Sequence, residues 1–407
     1  MSTIVLAFRY LFSRPLAACL NLLLLSLGLA SVTFVVLASE QVGRAFERDL
    51  AGIDLVVGAK GSPVQLILSS VFQIDVPAGN VALAQVQALA DHPQVAQVIP
   101  LSMGDSVGGF RIVGTTADYL SLYALQQASG DGADRAASSP LAPMQALLGA
   151  RAARVLGLRP GDSFVGQHGL AGGGHAHGDT PYRVQGVLAP CGCVADRLVI
   201  TALESVWQVH ETALATDAED RKLLEAEREV TAALVRYRTP LAAASLPRWV
   251  NATTPMQAAA PAIEVTRMLR LLGVGGDLLR AAGAVLLVTG GLSIFIALWN
   301  AVRERRADLA LLRLLGASPG RVAALVMCEA LWLALFAGVL GLASGHGLAS
   351  LVGYFLERQQ SLPLTGAIWV SDELWIVALS LAVACVAALI PAVSAWRTDV
   401  ARLLQAR

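Results

Sequence analysis

Residues 303–321 read RERRADLALLRLLGASPGR. Five arginines and two acids stand here between two apolar runs, each long enough to cross a bilayer. A helix from 303 to 315 would place Leu309, Leu311, Leu312, Leu314 and Leu315 on one side and arginines on the other. Gly316 sits where a helix end takes a left-handed residue. Ser318 fits an N-cap, and Pro319 fits the first turn of the next helix. The spacing therefore predicts a helix, a two-residue break and a new helix. The bland reading is a basic connector that only fixes topology. The sharper reading is a structured contact surface: its arginines meet lipid phosphates or an acidic partner, and its leucines enter a groove.

The flanking runs define the class. The chain of 407 residues is 55% hydrophobic and 15% charged, where soluble proteins carry about 25% charged residues. A bilayer span needs roughly 20 apolar residues. Four runs meet this: 16–38, 281–302, 322–352 and 374–396. The first is longer than the apolar part of a signal peptide and is read as an uncleaved anchor. A signal peptide cut before Ser39 is the other reading.

Arginine placement then orients the spans. Residues 1–15 carry Arg9 and Arg14 and no acid, and the tail 397–407 carries Arg397, Arg402 and Arg407. The segment 353–373 holds Glu357, Asp372 and Glu373 against Arg358. Both termini and 303–321 are expected in the cytoplasm, and 39–280 and 353–373 on the outer side. The net charge is zero, which gives no electrostatic case for nucleic acid.

The region 39–280 is too polar for the membrane. Strands are expected at 53–59, 95–100, 110–114, 182–188, 197–201 and 229–237, and helices at 82–90, 115–122, 147–157, 217–229 and 255–273. The pattern is α+β, with a β-rich lobe inserted at about 123–230.

Few residues carry chemistry. His168, His175 and His177 lie in a glycine-rich loop, followed by Cys191-Gly-Cys193. Imidazole and thiolate suit zinc or copper. A bare linker, or oxidation of the two cysteines, are the competing readings. Gly341 and Gly345 form a G-x-x-x-G spacing that lets helices approach closely in lipid, within one chain or between two. Gly290 and Gly291 would let the second span bend. Glu329 lies near the inner end of the third span, where a buried acid needs a partner; Arg321 is the expected one. Lysine occurs only at Lys60 and Lys222, and neither stands in the G-x-x-x-x-G-K-[ST] context that cradles phosphates. No ATP site of that kind is present.

The stretch RERRADLALLRLLGASPGRV (303–322), with the Gly- and Ala-rich span after it, resembles the cytoplasmic loop of FtsX-like ABC-transporter permeases. GIDLVVGAKGSPVQLILSSVF (52–72) and RIVGTTADYL (111–120) resemble the periplasmic core domain of the MacB/LolC group, the type VII ABC transporters. The resemblance covers essentially the whole chain. It implies a membrane protein of four transmembrane α-helices, with a large α+β periplasmic domain of porter-like and sabre-like lobes between helices 1 and 2. It implies a non-catalytic permease of the bacterial inner membrane. No cofactor would sit on this chain; ATP and Mg would bind a separate ATPase dimer. Closure of that dimer would be passed to the periplasmic domain, a process called mechanotransmission. The coupling residues would be Arg303, Glu304, Arg305, Arg306, Asp308, Arg313 and Arg321. The expected partners are the ATPase, a second or related permease, a periplasmic adaptor or lipoprotein, and membrane lipids. The expected substrate is a lipoprotein, lipid, peptide or other hydrophobic compound. Two alternatives remain: a regulator of a periplasmic hydrolase or sensor kinase, and a zinc- or copper-linked transport accessory. A secondary transporter would want grouped ionisable residues and internal repeats, and neither is seen.

Overall fold

The computed structural model describes residues 3–13, 15–50, 52–130, 141–169, 180–211, 218–358 and 364–397. The elements in chain order begin with α1 (Thr3–Leu11), α2 (Pro15–Asp49), β1 (Leu55–Ala59), α3 (Pro63–Ser70), β2 (Val81–Ala82), α4 (Leu83–Ala90), β3 (Val95–Val107), β4 (Phe110–Thr115) and α5 (Ala117–Leu122). Next come β5 (Gln127–Gly130), β6 (Gln145–Leu148), α6 (Ala150–Leu156), β7 (Ser163–Phe164), β8 (Gln167–His168), β9 (Tyr182–Leu188), β10 (Leu198–Ala202), α7 (Leu203–Glu211) and α8 (Ala218–Ala226). The last are β11 (Glu229–Val230), β12 (Ala232–Tyr237), α9 (Ala242–Thr253), β13 (Met256–Ala259), α10 (Pro261–Glu304), α11 (Arg306–Leu314), α12 (Pro319–Arg358) and α13 (Glu373–Trp396). Two compact units result: Met1–Gly43 with Leu271–Arg407, and Arg44–Arg270.

The first unit holds the four helices long and apolar enough to cross a membrane, α2, α10, α12 and α13. Their shared core is Leu25 and Leu29 of α2, Ile294 and Leu298 of α10, Ala330, Ala334 and Ala337 of α12, and Ala384 and Ala388 of α13. Small residues dominate where helices meet, because apolar burial gains little in lipid and close contact decides packing. Two expectations change. The helix predicted at 255–273 begins only at Pro261, because 256–259 pair with β1 as strand β13, and from there it is one helix with the span 281–302, α10, since no proline interrupts 262–304. The first span continues to Asp49 for the same reason.

The second unit is built on a sheet ordered β13-β1-β12-β3-β4-β10-β6-β9-β5. Most neighbours are antiparallel; β10 runs parallel to β4, and β6 parallel to β9. Strand β3 belongs to both halves of this sheet. Its first part, from Val95 to Leu101, pairs with β12, and its second part pairs with β4. Each half has its own core. One gathers Leu55, Val57, Val86, Val95, Val235 and Leu246. The other gathers Phe110, Ile112, Leu148, Phe164, Tyr182, Val184 and Val199. The second core thus begins at Phe110 rather than near residue 123, because β4 is buried along its whole length and takes β10 as its parallel neighbour.

Arg111 is the charged residue inside β4. It is 5% exposed and donates to the carbonyls of Ser69 (3.3 Å) and Asp75 (2.8 Å). Ser69 lies in the last turn of α3, where carbonyls lack helical partners. Burial pulls the Arg111 guanidinium down to about 10, and Asp75 opposes that shift.

Candidate coupling site

At the elbow after α10, the helix stops at Glu304, and Arg305 takes a non-helical conformation (φ −93°, ψ 16°) before α11 begins. The sequence reading expected an unbroken helix from 303. The turn at Arg305 aims its guanidinium inward. It meets Glu329 Oε1 at 3.2 Å, Ser13 Oγ at 2.6 Å and the Tyr10 carbonyl at 3.3 Å, and lies 4.4 Å from the centre of the Tyr10 ring. The partner of Glu329 is therefore Arg305, not Arg321. Arg321 stands eight residues before Glu329 on the same helix, about 12 Å along its axis, while the elbow brings Arg305 alongside.

The far end of α11 closes as its sequence dictates. Gly316 is left-handed (φ 93°), its N–H donates to Arg313, and the Ala317 N–H donates to Leu312. This is the Schellman arrangement. Ser318 Oγ then accepts from the Arg321 N–H at 3.4 Å, and Pro319 opens α12. Both ends of α11 are fixed, so its faces are defined. Leu309 and Ala310 point into the core, whereas Leu311, Leu314 and Leu315 are exposed, Leu315 by 85%. Arg303, Glu304, Arg306, Asp308 and Arg321 are exposed, and Arg313 is half-buried. The predicted coupling residues thus separate into five exposed ones, the half-buried Arg313 and one that turns inward, Arg305.

Helix α1 was not anticipated. It buries Ala7 and Leu11, and its backbone accepts from the Trp332 indole at the Ile4 carbonyl (3.3 Å). Phe8 packs edge-on against Trp332 at 5.4 Å. Through Tyr10 and Ser13, the segment that carries α1 meets the elbow at Arg305. The signal in the sequence is the aromatic spacing Phe8, Tyr10 and Phe12 just before Pro15.

The glycines form seams inside the chain. A Cβ on Gly341 would stand 2.6 Å from Leu29 Cβ, and one on Gly345 would stand 2.6 Å from Thr33 Cβ. The G-x-x-x-G of α12 is therefore spent on α2 of the same chain. Gly290 faces the Leu25 backbone at 3.3 Å, and Gly291 faces Val383 of α13 at 2.9 Å. They serve close approach within an unbroken helix.

The opposite end of α12 carries a second polar knot. His346 Nδ1 lies 2.6 Å from the Gly366 carbonyl, and its Nε2 lies 2.9 Å from Glu373 Oε2. Glu373 is fully buried, and its other oxygen accepts the Val370 N–H at 3.0 Å. Gln41 of α2 grips the Thr365 backbone with both amide atoms, at 2.8 and 2.9 Å. The strap 364–372 is thereby tied to α2, α12 and α13. Glu373 reads in the sequence as a loop acid that marks topology; nothing local announces its pairing 27 residues back.

The metal reading loses part of its ligand set. Cys191 and Cys193 form a disulfide, and a disulfide offers no thiolate. His168 Nδ1 lies 3.0 Å from Asp105 Oδ1. His175 and His177 lie outside the described residues. Among the described residues, no group of three or more metal-binding side chains comes together.

Comparison with known proteins adds two family matches. The model described as FtsX-like permease C-terminal matches residues 280–398, and the MacB-like periplasmic core domain matches residues 18–256. No curated protein matches. Among solved structures, the chain is similar to the periplasmic region of MacB from Actinobacillus actinomycetemcomitans, at 11% identity and a TM-score of 0.34, covering 55% of this chain and 95% of that one. It is also similar to the extracellular domain of the noncanonic ABC-type transporter YknZ from Gram-positive bacteria, at 12% identity and a TM-score of 0.30, covering 51% and 98%.

Proposed function

We propose that this chain, which belongs to the family of FtsX-like permeases with a MacB-like periplasmic core domain, passes the work of a separate ATPase to its large α/β unit. It is a multi-pass membrane protein of the ABC-transporter permease kind. ATP and Mg bind the partner ATPase, and α11 is the surface on which that partner pushes. The observation that carries this reading is the outward apolar row Leu311, Leu314 and Leu315 on a short helix whose first residue, Arg306, is exposed, as is Arg321 just beyond its C-terminal break. Such a row fits a groove in a partner, with the cations at its rim. Helix α10 runs from Pro261 to Glu304 and ends at this elbow.

By the placement of arginines, α11 and both termini face the cytoplasm of a bacterium, and the second unit faces the periplasm. The permease works as a dimer, with its own copy or a related chain, beside an ATPase dimer. Its substrate is a lipoprotein, lipid, peptide or other hydrophobic compound met on the periplasmic side, with a periplasmic adaptor or lipoprotein as a further partner.

The test is a double substitution, Arg306→Glu with Leu314→Glu. Leu314 at the centre of the contact carries more than about 1.4 kcal/mol and Arg306 at its rim adds to that, so stimulation of the ATPase should fall at least about 10-fold while the permease stays folded. Unchanged stimulation and unchanged co-purification would overturn the assignment of α11. Capture in mild detergent separates the uses of the machine: an outer-membrane component supports export, and a hydrolase or sensor kinase supports the regulatory alternative. The zinc or copper reading now rests on His168, His175 and His177 alone. It predicts that His175→Ala with His177→Ala lowers the metal bound per chain, and equal metal content by mass spectrometry would remove it.

A further inference from the structure

The disulfide between Cys191 and Cys193 spans a single glycine. A bridge that closes so few residues restricts the unfolded chain far less than one closing tens of residues. Asp196 also shapes the loop: its carboxylate accepts the Cys191 N–H at 3.0 Å and the Gly192 N–H at 2.8 Å. Gly192 is exposed in a left-handed conformation (φ 64°), and both cysteines are partly open to solvent. A bridge that adds little stability, sits on a loop that other bonds also shape and is accessible has the features of an exchangeable disulfide.

The surroundings suit exchange. The Cys193 N–H points at Cys191 Sγ from 3.1 Å, and Asp196 Oδ1 lies 3.4 Å from the same sulfur. The N–H steadies negative charge on Cys191 as it leaves; the carboxylate opposes that charge until Cys191 takes a proton, and then accepts from the thiol that forms. The loop is also joined to the end of α2. The Val194 N–H donates to Asp49 Oδ1 at 2.7 Å, Asp49 is 3% exposed, and the Asp49 carbonyl accepts the Tyr123 hydroxyl at 2.8 Å. A Cβ on Gly192 would stand 3.5 Å from the Arg48 guanidinium.

We propose that Cys191-Gly192-Cys193 is a reversible thiol–disulfide exchange site for external thiols, and that its redox state sets how firmly the 190–194 loop holds the last turn of α2. An external thiolate attacks Cys193 Sγ. The Cys191–Cys193 bond breaks, a mixed disulfide forms on Cys193, and Cys191 leaves with the bond's electron pair and takes a proton. A second external thiol attacks the external sulfur, releases Cys193 as a thiol and departs as a disulfide. Two electrons and two protons pass to the protein, and the external pair is oxidised.

The test uses the full chain in nanodiscs with Cys19, Cys328 and Cys385 replaced by serine. The protein is equilibrated in graded ratios of reduced to oxidised glutathione, then quenched, alkylated and weighed. Cys191 and Cys193 should become reactive together, and the change should reverse on reoxidation. A bridge still closed at 1000-fold excess of reduced glutathione, or thiols free at every ratio, would overturn the exchange site. A parallel arm uses a reduced thioredoxin-like protein: reduction at least 100-fold faster than by glutathione at equal thiol concentration identifies a protein dithiol as the natural source, and equal rates identify a small thiol. Hydrogen exchange at residues 44–50 should quicken at least 10-fold on reduction. No change there would overturn the link to α2.

Discussion

Replacing Arg305 with alanine is expected to lower the stability of the membrane unit by about 3–5 kcal/mol, the usual cost of stripping one partner from a buried ion pair. The side chains of Arg305 and Glu329 are 15% and 9% exposed. The loss leaves the Glu329 carboxylate without the Arg305 guanidinium and removes the bonds to Ser13 and Tyr10. Lysine should recover only part of the loss, since one ammonium cannot reproduce the planar fork that reaches three oxygens. Removing both charges at once, with Arg305→Met and Glu329→Leu, should recover most of it, because an apolar pair of similar volume often matches a buried ion pair. Thermal unfolding of the purified protein in mild detergent reads the series. A single variant as stable as wild type would show that Glu329 does not depend on Arg305. The contrast with Arg306 matters here. That side chain is exposed, so its substitution should move stability by no more than about 0.5 kcal/mol while it disturbs the partner.

Glu373→Leu should cost about 3 kcal/mol, from the unpaired Val370 N–H and the lost contact to His346. The strap 364–372 would loosen first, because it loses the bond to Val370 while the Gln41, Ser350 and His346 contacts hold Thr365 and Gly366. Limited proteolysis should cut the strap faster in the variant, with the spans intact. Glu373→Gln should lose less, since an amide oxygen still accepts from Val370. Equal protection of the strap in all three proteins would count against Glu373 as its anchor.

Much of the membrane unit is legible from the sequence because its signals are local. Four apolar runs announce four helices. Gly316, Ser318 and Pro319 announce the break between α11 and α12, since each residue type fits one backbone position there. What escapes is long-range. The inward turn of Arg305 depends on Tyr10 and Ser13, almost three hundred residues away in the chain. The burial of Glu373 depends on His346, and the use of Gly341 and Gly345 depends on α2. A spacing rule shows that two glycines can accept a neighbour but cannot say which helix it is. The opposite error occurs at 261–302, where polar residues suggest two helices and backbone continuity makes one. In the second unit β1, β4, β9, β10 and β12 are legible, whereas β13 and the end of β6 lie where the sequence suggests helix, and the sharing of β3 between two cores is not legible, because pairing partners are a property of the sheet.

The lengths of two helices have a last consequence. At about 1.5 Å per residue, the 44 residues of α10 measure about 66 Å and the 35 of α2 about 52 Å, against a hydrocarbon layer of about 30 Å. Fitting α10 wholly within that layer would need a tilt of about 60°, beyond the 0–40° that spanning helices adopt. Both helices are therefore longer than the layer they cross, and each must keep a part of its length outside the hydrocarbon.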